Sequence, residues 1–112
     1  MSPLATKIYR HLRQRIVKQR PSITYRELAA AVSEMHPRDP RFHAALGEVA
    51  NACRHVQLPC LPAIVWRSDT HRPSAGYYKV AHPRAHTDEA RRSAWEREHA
   101  RVVAATFPPK LV

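Results

Sequence analysis

Apolar residues recur at helical spacing near the start of the chain. Between residues 3 and 18 they lie three or four positions apart, at Ala5, Ile8, Leu12 and Ile16. Basic and polar side chains occupy the opposite side, at Lys7, Arg10, Arg13 and Gln14. This pattern predicts an amphipathic first helix with a cationic outer face. Pro21 disfavours helical geometry at the residue before it, so the helix should end there.

A capping box marks the start of a second helix. Thr24 is followed three residues later by Glu27, so each side chain can bond the backbone amide of the other. Ile23 and Leu28 stand where a hydrophobic staple would close. The inward residues are predicted to be Leu28, Ala29, Ala31 and Val32. The helix should end before Pro37, between residues 33 and 36.

A third helix is predicted from Asp39 and Pro40. Aspartate is a preferred N-cap, and proline is tolerated at the first helical position because that amide has no intrahelical partner. Apolar residues then keep helical spacing at Phe42, Ala45, Leu46, Val49, Cys53 and Val56. We expect this helix to pack one face on the core and to end before Pro59.

The remaining chain changes character and predicts a hairpin followed by a helix. Residues 61–67 and 76–80 are short apolar and aromatic runs around a turn-rich loop at 68–75, which is typical of two paired strands. Thr87 can cap a final helix that carries Asp88 and Glu89 in its first turn. Its inner stripe is predicted to comprise Trp95, Val102, Val103 and Thr106, and Pro108 should stop it.

These elements predict a mainly α fold with a small β-hairpin. Three helices followed by a hairpin is the order of a winged helix-turn-helix, in which the hairpin is the wing. At 112 residues the chain is the length of one domain. We therefore expect a winged-helix unit over residues 1–83, with a C-terminal helix over 84–112 packed on the same domain.

The charge balance points to a polyanionic partner. Lysine and arginine number 19 against 9 acidic residues, a formal net charge of +10. Such an excess attracts nucleic acid through counterion release, and most of the cations are arginines, which can hold two phosphate oxygens at once. The candidate DNA-binding residues lie on the third helix, in the wing and on the first helix. They are Arg41, His43, Asn51, Arg54, Arg67, Arg72, Lys79, Arg10 and Arg13.

Several short motifs resemble a known family. The run from Ile23 to Ala29, I-T-Y-R-E-L-A, is similar to a run in the C-terminal domain of alkylguanine-DNA alkyltransferases and of alkyltransferase-like proteins. Pro59-Cys60, Ser68-Asp69 and Gly76-Tyr77 follow in the family's order. The resemblance covers residues 8–80. It implies a variant winged helix that reads the minor groove of DNA with its third helix, where Arg41 would fill the gap left by a flipped base.

The residues after Cys60 do not fit an alkyl-transfer activity. The family places a histidine directly after its reactive cysteine to help remove the thiol proton. Here Leu61 and Pro62 follow Cys60. We therefore expect no catalytic activity and no cofactor.

The cysteines and histidines raise two further possibilities, a nucleophilic cysteine and a zinc site. Cys60 is either a nucleophile or a structural thiol, and two cysteines are too few for a disulfide framework. Cys53, His55, Cys60 and either His82 or His86 have suitable chemistry for zinc, but their spacing matches no closed structural pattern. We expect no metal. The histidines are more simply explained as solvated or core-edge residues.

The sequence thus favours a DNA-binding protein, such as a small regulator or a mobile-element accessory protein. One alternative is an inhibitor or immunity protein whose basic face binds an acidic protein partner. Another is a non-catalytic sensor of damaged bases. No stretch has the apolar core of a signal peptide or the length of a membrane span, so we expect a cytoplasmic protein without membrane contact. The oligomeric state is not predicted.

Overall fold

The first three helices form where the sequence predicts them. The computed structural model describes residues 1–111, in which α1 spans Pro3–Val17, α2 spans Tyr25–Val32 and α3 spans Pro40–His55. The capping box is present, because the Glu27 amide donates to Thr24 Oγ1 at 3.1 Å and the Thr24 amide donates to Glu27 Oε1 at 3.2 Å. Asp39 caps α3 by accepting from the Arg41 amide at 2.8 Å.

The core lies where α1, α2 and α3 pack together. Each helix turns most of its predicted apolar stripe inward, and α1 contacts both of the others. The fully buried side chains of these helices include Ile8, Tyr9, Leu12, Leu28, Phe42 and Val49.

Two of the residues predicted to face inward from α2 and α3 are instead exposed, and those predictions are wrong. Ala31 lies in the last turn of α2, at the edge of a shallow depression between α1 and α2. Val56 is 41% exposed. It lies just beyond the last turn of α3, where the chain leaves the helix and the helical spacing no longer fixes its direction.

Two very short strands form a parallel pair. β1 comprises Ile23–Thr24 and β2 comprises Val65–Trp66, with Ile23 opposite Val65 and Thr24 opposite Trp66. Leu61–Ile64, immediately before β2, form a buried 3-10 helix. The first strand predicted over residues 61–67 is therefore reduced to its last part, and its partner is β1.

The predicted hairpin is wrong, because its second strand is a helix. Residues Ala75–Ala81 form α4, with Tyr77 and Tyr78 buried. Arg54 of α3 donates to the carbonyl oxygens of Val80 and Ala81, where a helix leaves acceptors without intrahelical partners. Tertiary packing and this cap outweigh the β propensity of the tyrosines. The structure is thus mainly helical with one small parallel sheet, and the wing is not formed as a hairpin.

The last helix, α5, spans Asp88–Ala104 and is capped by Thr87 as predicted. Of its predicted inner stripe, Val102 is fully buried and Trp95 is half-buried, whereas Val103 is 47% exposed and Thr106 lies exposed beyond the helix. Those two predictions are wrong because Val103 lies roughly 100° around the helix axis from the buried Val102, and because Thr106 follows the end of α5 at Ala104. Trp95 Nε1 donates to the Ala63 carbonyl at 2.8 Å. Val112 lies outside the described residues.

None of the helices within residues 1–111 combines the length and the apolar character needed to cross a bilayer.

Candidate functional site

The starts of α2 and α3 and the end of β2 surround an open groove of about 430 Å³. Its walls come from three segments that are far apart in sequence. We call this the arginine groove, lined by Thr24, Tyr25, Arg26, Pro37, Arg38, His43, Trp66, Arg67, Ser68, Asp69 and Ser74. The β1–β2 pairing brings the first and last of these segments together.

Three guanidinium groups face this groove, one from each segment. Arg26 and Arg38 are exposed. Arg67 makes two bonds to the carboxylate of Asp69, at 2.9 and 2.7 Å, and these bonds lower the pKa of Asp69. Within residues 1–111 Asp69 is the one acidic residue of the lining, so the groove keeps a net positive charge. It is suited to an anionic ligand.

The position of Arg26 costs stability. It lies in the first turn of α2, where the helix dipole favours acidic rather than basic side chains. Glu27 of the capping box offsets part of this cost. Sequence reasoning missed Arg26 and Arg38 as site residues. A cation beside a helix N-terminus was the available signal for Arg26, whereas nothing local marks Arg38.

Aromatic rings lie between the cations. The Tyr25 and His43 ring centroids are 5.5 Å apart, and those of Trp66 and His71 are 5.4 Å apart. The Tyr25 hydroxyl oxygen accepts from the Ser74 amide at 2.9 Å and from Ser74 Oγ at 3.1 Å. Burial raises the pKa of Tyr25, so its hydroxyl stays protonated at neutral pH and can donate to a ligand.

A small void lies next to the arginine groove and shares Tyr25, His43 and Ser74 with it. Its other walls are mainly apolar, and its volume is about 70 Å³. Sites for small molecules usually measure about 300–1,000 Å³. In this conformation the void is too small to hold a purine base.

A second and larger cavity, of about 550 Å³, lies between the end of α3, the end of α4 and α5. We call it the α5 cavity. Its lining is Ala50, Arg54, Gln57, Leu58, Cys60, Val80, Ala81, His82, Ala94, Arg97, Glu98 and Arg101. Glu98 accepts from the Cys60 amide at 2.6 Å and from Arg101 at 3.1 Å.

The nine residues predicted to bind DNA do not form one surface. The arginine groove contains His43 and Arg67. Arg41, beside it at the start of α3, is bound to Asp39 but has a side chain 74% exposed. Arg72 lies in an adjacent depression, paired with Asp88 at 3.2 Å.

The other five predicted residues lie elsewhere. Arg54 lines the α5 cavity. Asn51 and Lys79 are exposed outside the arginine groove. Arg10 lines a shallow depression between α1 and α2. Arg13 donates to the Phe107 carbonyl at 2.8 Å, which gives it a structural role.

Cys60 is poorly suited to be a nucleophile. It is 9% exposed and lies outside the arginine groove. Burial raises the pKa of its thiol, with the neighbouring Cys53 and Glu98 acting in the same direction. The attacking species would be the thiolate, which is scarce under these conditions. Both cysteines are free thiols in the structure.

The histidines and cysteines do not assemble a metal centre in the described part of the chain. No three of the histidine, cysteine, aspartate and glutamate side chains within residues 1–111 are grouped closely enough to hold an ion. This finding gives no support to the zinc interpretation of Cys53, His55, Cys60 and His82 or His86.

No protein-family model matches the chain, and no curated protein or solved structure is significantly similar to it.

Proposed function

We propose that the protein binds nucleic acid through the arginine groove, as a small regulator or a mobile-element accessory protein would. The observation that carries the proposal is the convergence of Arg26, Arg38 and Arg67 from three separate segments on one open groove. Guanidinium groups bind phosphate oxygens in a planar, two-bond geometry. The net charge of +10 adds long-range attraction for a polyanion.

Aromatic side chains favour nucleic acid over other polyanions. Trp66 is half-buried at the groove, where part of its ring surface can contact a base. Tyr25 offers its hydroxyl hydrogen as a donor. A ligand with both phosphates and flat bases can contact the arginines and the aromatic side chains of the groove at the same time. We retain double-stranded DNA as the expected partner and the variant winged helix as the proposed fold family, both on the resemblance of residues 23–29.

The proposal is tested by fluorescence anisotropy with a labelled random duplex and a labelled single strand at several salt concentrations. We expect the logarithm of affinity to fall linearly with the logarithm of salt concentration. Replacing Arg26, Arg38 and Arg67 with glutamine should weaken duplex binding at least about tenfold. The same variant should flatten the salt slope by roughly 0.9 for each phosphate that the protein no longer neutralises.

A matched control removes the same charge elsewhere. Arg20, Arg84 and Arg92 are exposed and lie outside the arginine groove. Their replacement with glutamine should reduce affinity far less than the groove triple variant does. Equal losses of affinity in the two triple variants would show that net charge alone attracts DNA and would refute a defined site.

The other interpretations are outcomes of the same experiment. Failure to bind either strand form at low salt, together with tight capture of one acidic protein, would favour the interaction module. A duplex carrying an alkylated guanine is included as a third probe. Preference for it over the plain duplex would favour the sensor of damaged bases.

A further inference from the structure

The α5 cavity contains a second concentration of positive charge. Arg54 comes from α3, and Arg97 and Arg101 come from α5. Glu98 is the single acidic residue of the lining within residues 1–111, so three guanidinium groups and one carboxylate leave a formal charge of +2. This cavity is separate from the arginine groove, since the two share no lining residue.

The positive charge of the cavity is only partly compensated within the described residues. Arg97 and Arg101 are four residues apart, which places two like charges on one face of α5 and destabilises a helix. Glu98 cannot neutralise all three arginines of the cavity. One of its carboxylate oxygens already accepts from the Cys60 amide, and the other accepts from Arg101. The Arg97 side chain is exposed and makes no hydrogen bond or ion pair with other described residues. Its donors are therefore free for a ligand.

The rest of the cavity suits an organic group attached to the anion. Ala50, Leu58, Val80 and Ala94 give it apolar walls, and its volume of about 550 Å³ falls within the range of small-molecule sites. Gln57 and His82 add polar side chains to the lining. His82 uses Nε2 to contact the Tyr77 hydroxyl at 2.9 Å, so Nδ1 remains available.

We propose that the α5 cavity binds a phosphomonoester, with Arg97 and Arg101 holding the phosphate and Arg54 completing its charge. A phosphomonoester carries about −1.5 to −2 at pH 7, which matches the charge of the cavity. A phosphodiester carries only one negative charge and matches it less well. The group can belong to a free nucleotide or to the 5′ end of a nucleic-acid strand.

The test is a calorimetric titration with adenosine 5′-monophosphate, and with adenosine as its uncharged counterpart, in buffer free of phosphate. A second pair of probes is a short single strand with a 5′-phosphate and the same strand with a 5′-hydroxyl. We expect the phosphorylated member of at least one pair to bind more than about tenfold tighter, as charge-assisted bonds to a guanidinium imply. Preference within the first pair identifies a free nucleotide, and preference only within the second pair identifies a strand end.

Two variants locate the binding. The double variant R97Q/R101Q should lose the preference for the phosphorylated probe, because both guanidinium groups that α5 contributes are removed while glutamine preserves helix propensity. The double variant R84Q/R92Q removes equal charge outside the cavity and should keep it. Thermal unfolding of both variants shows whether the fold is intact. If R97Q/R101Q is unstable, the single variant Arg97→Gln replaces it, because this substitution breaks no hydrogen bond or ion pair within the described residues.

The outcome is independent of the arginine groove. The triple variant of Arg26, Arg38 and Arg67 should bind adenosine 5′-monophosphate as the unmodified protein does. It should also keep the preference for the 5′-phosphorylated strand over the 5′-hydroxyl strand, whatever its affinity for duplex. Equal affinity for the members with and without the phosphomonoester, in both pairs, would overturn the phosphomonoester site. So would an equal decrease in affinity in R97Q/R101Q and R84Q/R92Q.

Discussion

Among residues 1–111, three adopt a left-handed backbone without being glycine. Gln19 has φ of 57°, Gln57 has φ of 62° and His71 has φ of 56°. Gln19 and Gln57 follow the last turns of α1 and α3, where amides close back on the helix, as in the bond from Arg20 to the Arg15 carbonyl at 2.8 Å. Glycine is the usual residue at such a helix end because it lacks the steric cost of a Cβ atom.

Replacing Gln19 with glycine should therefore stabilise the protein, by about 0.5–1 kcal/mol, through relief of the left-handed strain. Urea unfolding measures the effect. Gln14 is an exposed residue inside α1 and provides the opposite control. Gln14→Gly should destabilise by about 1 kcal/mol, since glycine is a poor residue for a helix interior. Destabilisation by both substitutions would contradict the strain at Gln19.

His82 links stability to pH. Burial lowers its pKa below the ordinary value of 6.5, and Arg97 and Arg54 act in the same direction while Glu98 opposes them. Burial also lowers the pKa of His11. Below about pH 6.5 the unfolded chain binds more protons at these positions than the folded chain does. The free energy of unfolding should therefore decrease as the pH falls through 6.5 toward the lower pKa values of these histidines in the folded chain.

Urea unfolding at pH 7.5 and 5.5 tests this. His82→Gln removes one of the two contributions, so the loss of stability between the two pH values should be smaller in this variant than in the unmodified protein. His86→Gln, at an exposed histidine, is the matched control and should leave the loss unchanged. An undiminished loss in His82→Gln would show that His82 does not contribute.

At the scale of elements, the buried face of α5 is narrower than its sequence pattern predicts. Val102 is fully buried and Val103 is 47% exposed, although both were predicted to face the core. Val102→Ala should cost about 2 kcal/mol of stability through lost burial. Val103→Ala should change it by less than about 0.5 kcal/mol. Comparable unfolding free energies for the two variants would contradict the orientation of α5.

The elements that sequence reasoning predicts well are those with local start signals. Thr24 with Glu27, Asp39 before Pro40, and Thr87 each mark a helix start through bonds within a few residues. The helix α4 lacks such a signal, since its N-cap Ser74 makes no side-chain cap bond and the segment contains two β-favouring tyrosines. Contacts from α3 decide its conformation, and these are not visible in a local pattern.

The candidate site is also predicted only in part, because it depends on contacts between segments that are distant in sequence. The net charge of +10 indicates that cations carry the site, but charge alone does not show which arginines converge. Arg67 joins Arg26 only because β2 lies parallel to β1, whereas the predicted hairpin would have paired β2 with residues 76–80. The sequence pattern places Arg13 on the surface as a free cation, but in the structure its side chain donates a hydrogen bond to the Phe107 carbonyl.

At the scale of the whole molecule, two cationic regions lie near opposite ends of α4. Ser74, its N-cap, bonds Tyr25 at the arginine groove, while Ala81 and His82 at its other end line the α5 cavity. The helix is only seven residues long. Each region has its own arginines, so a substitution in one region leaves the guanidinium groups of the other in place.

The parallel pairing of β1 with β2 also has a kinetic consequence. Ile23 and Val65 are partners across a chain segment that includes all of α2 and α3, so the pair closes a long loop for the gain of two short strands. Local helical contacts carry no such entropic cost and can form early. The helices are therefore expected to collapse first, and the arginine groove, which needs the strand pair, is completed only in the last stage of folding.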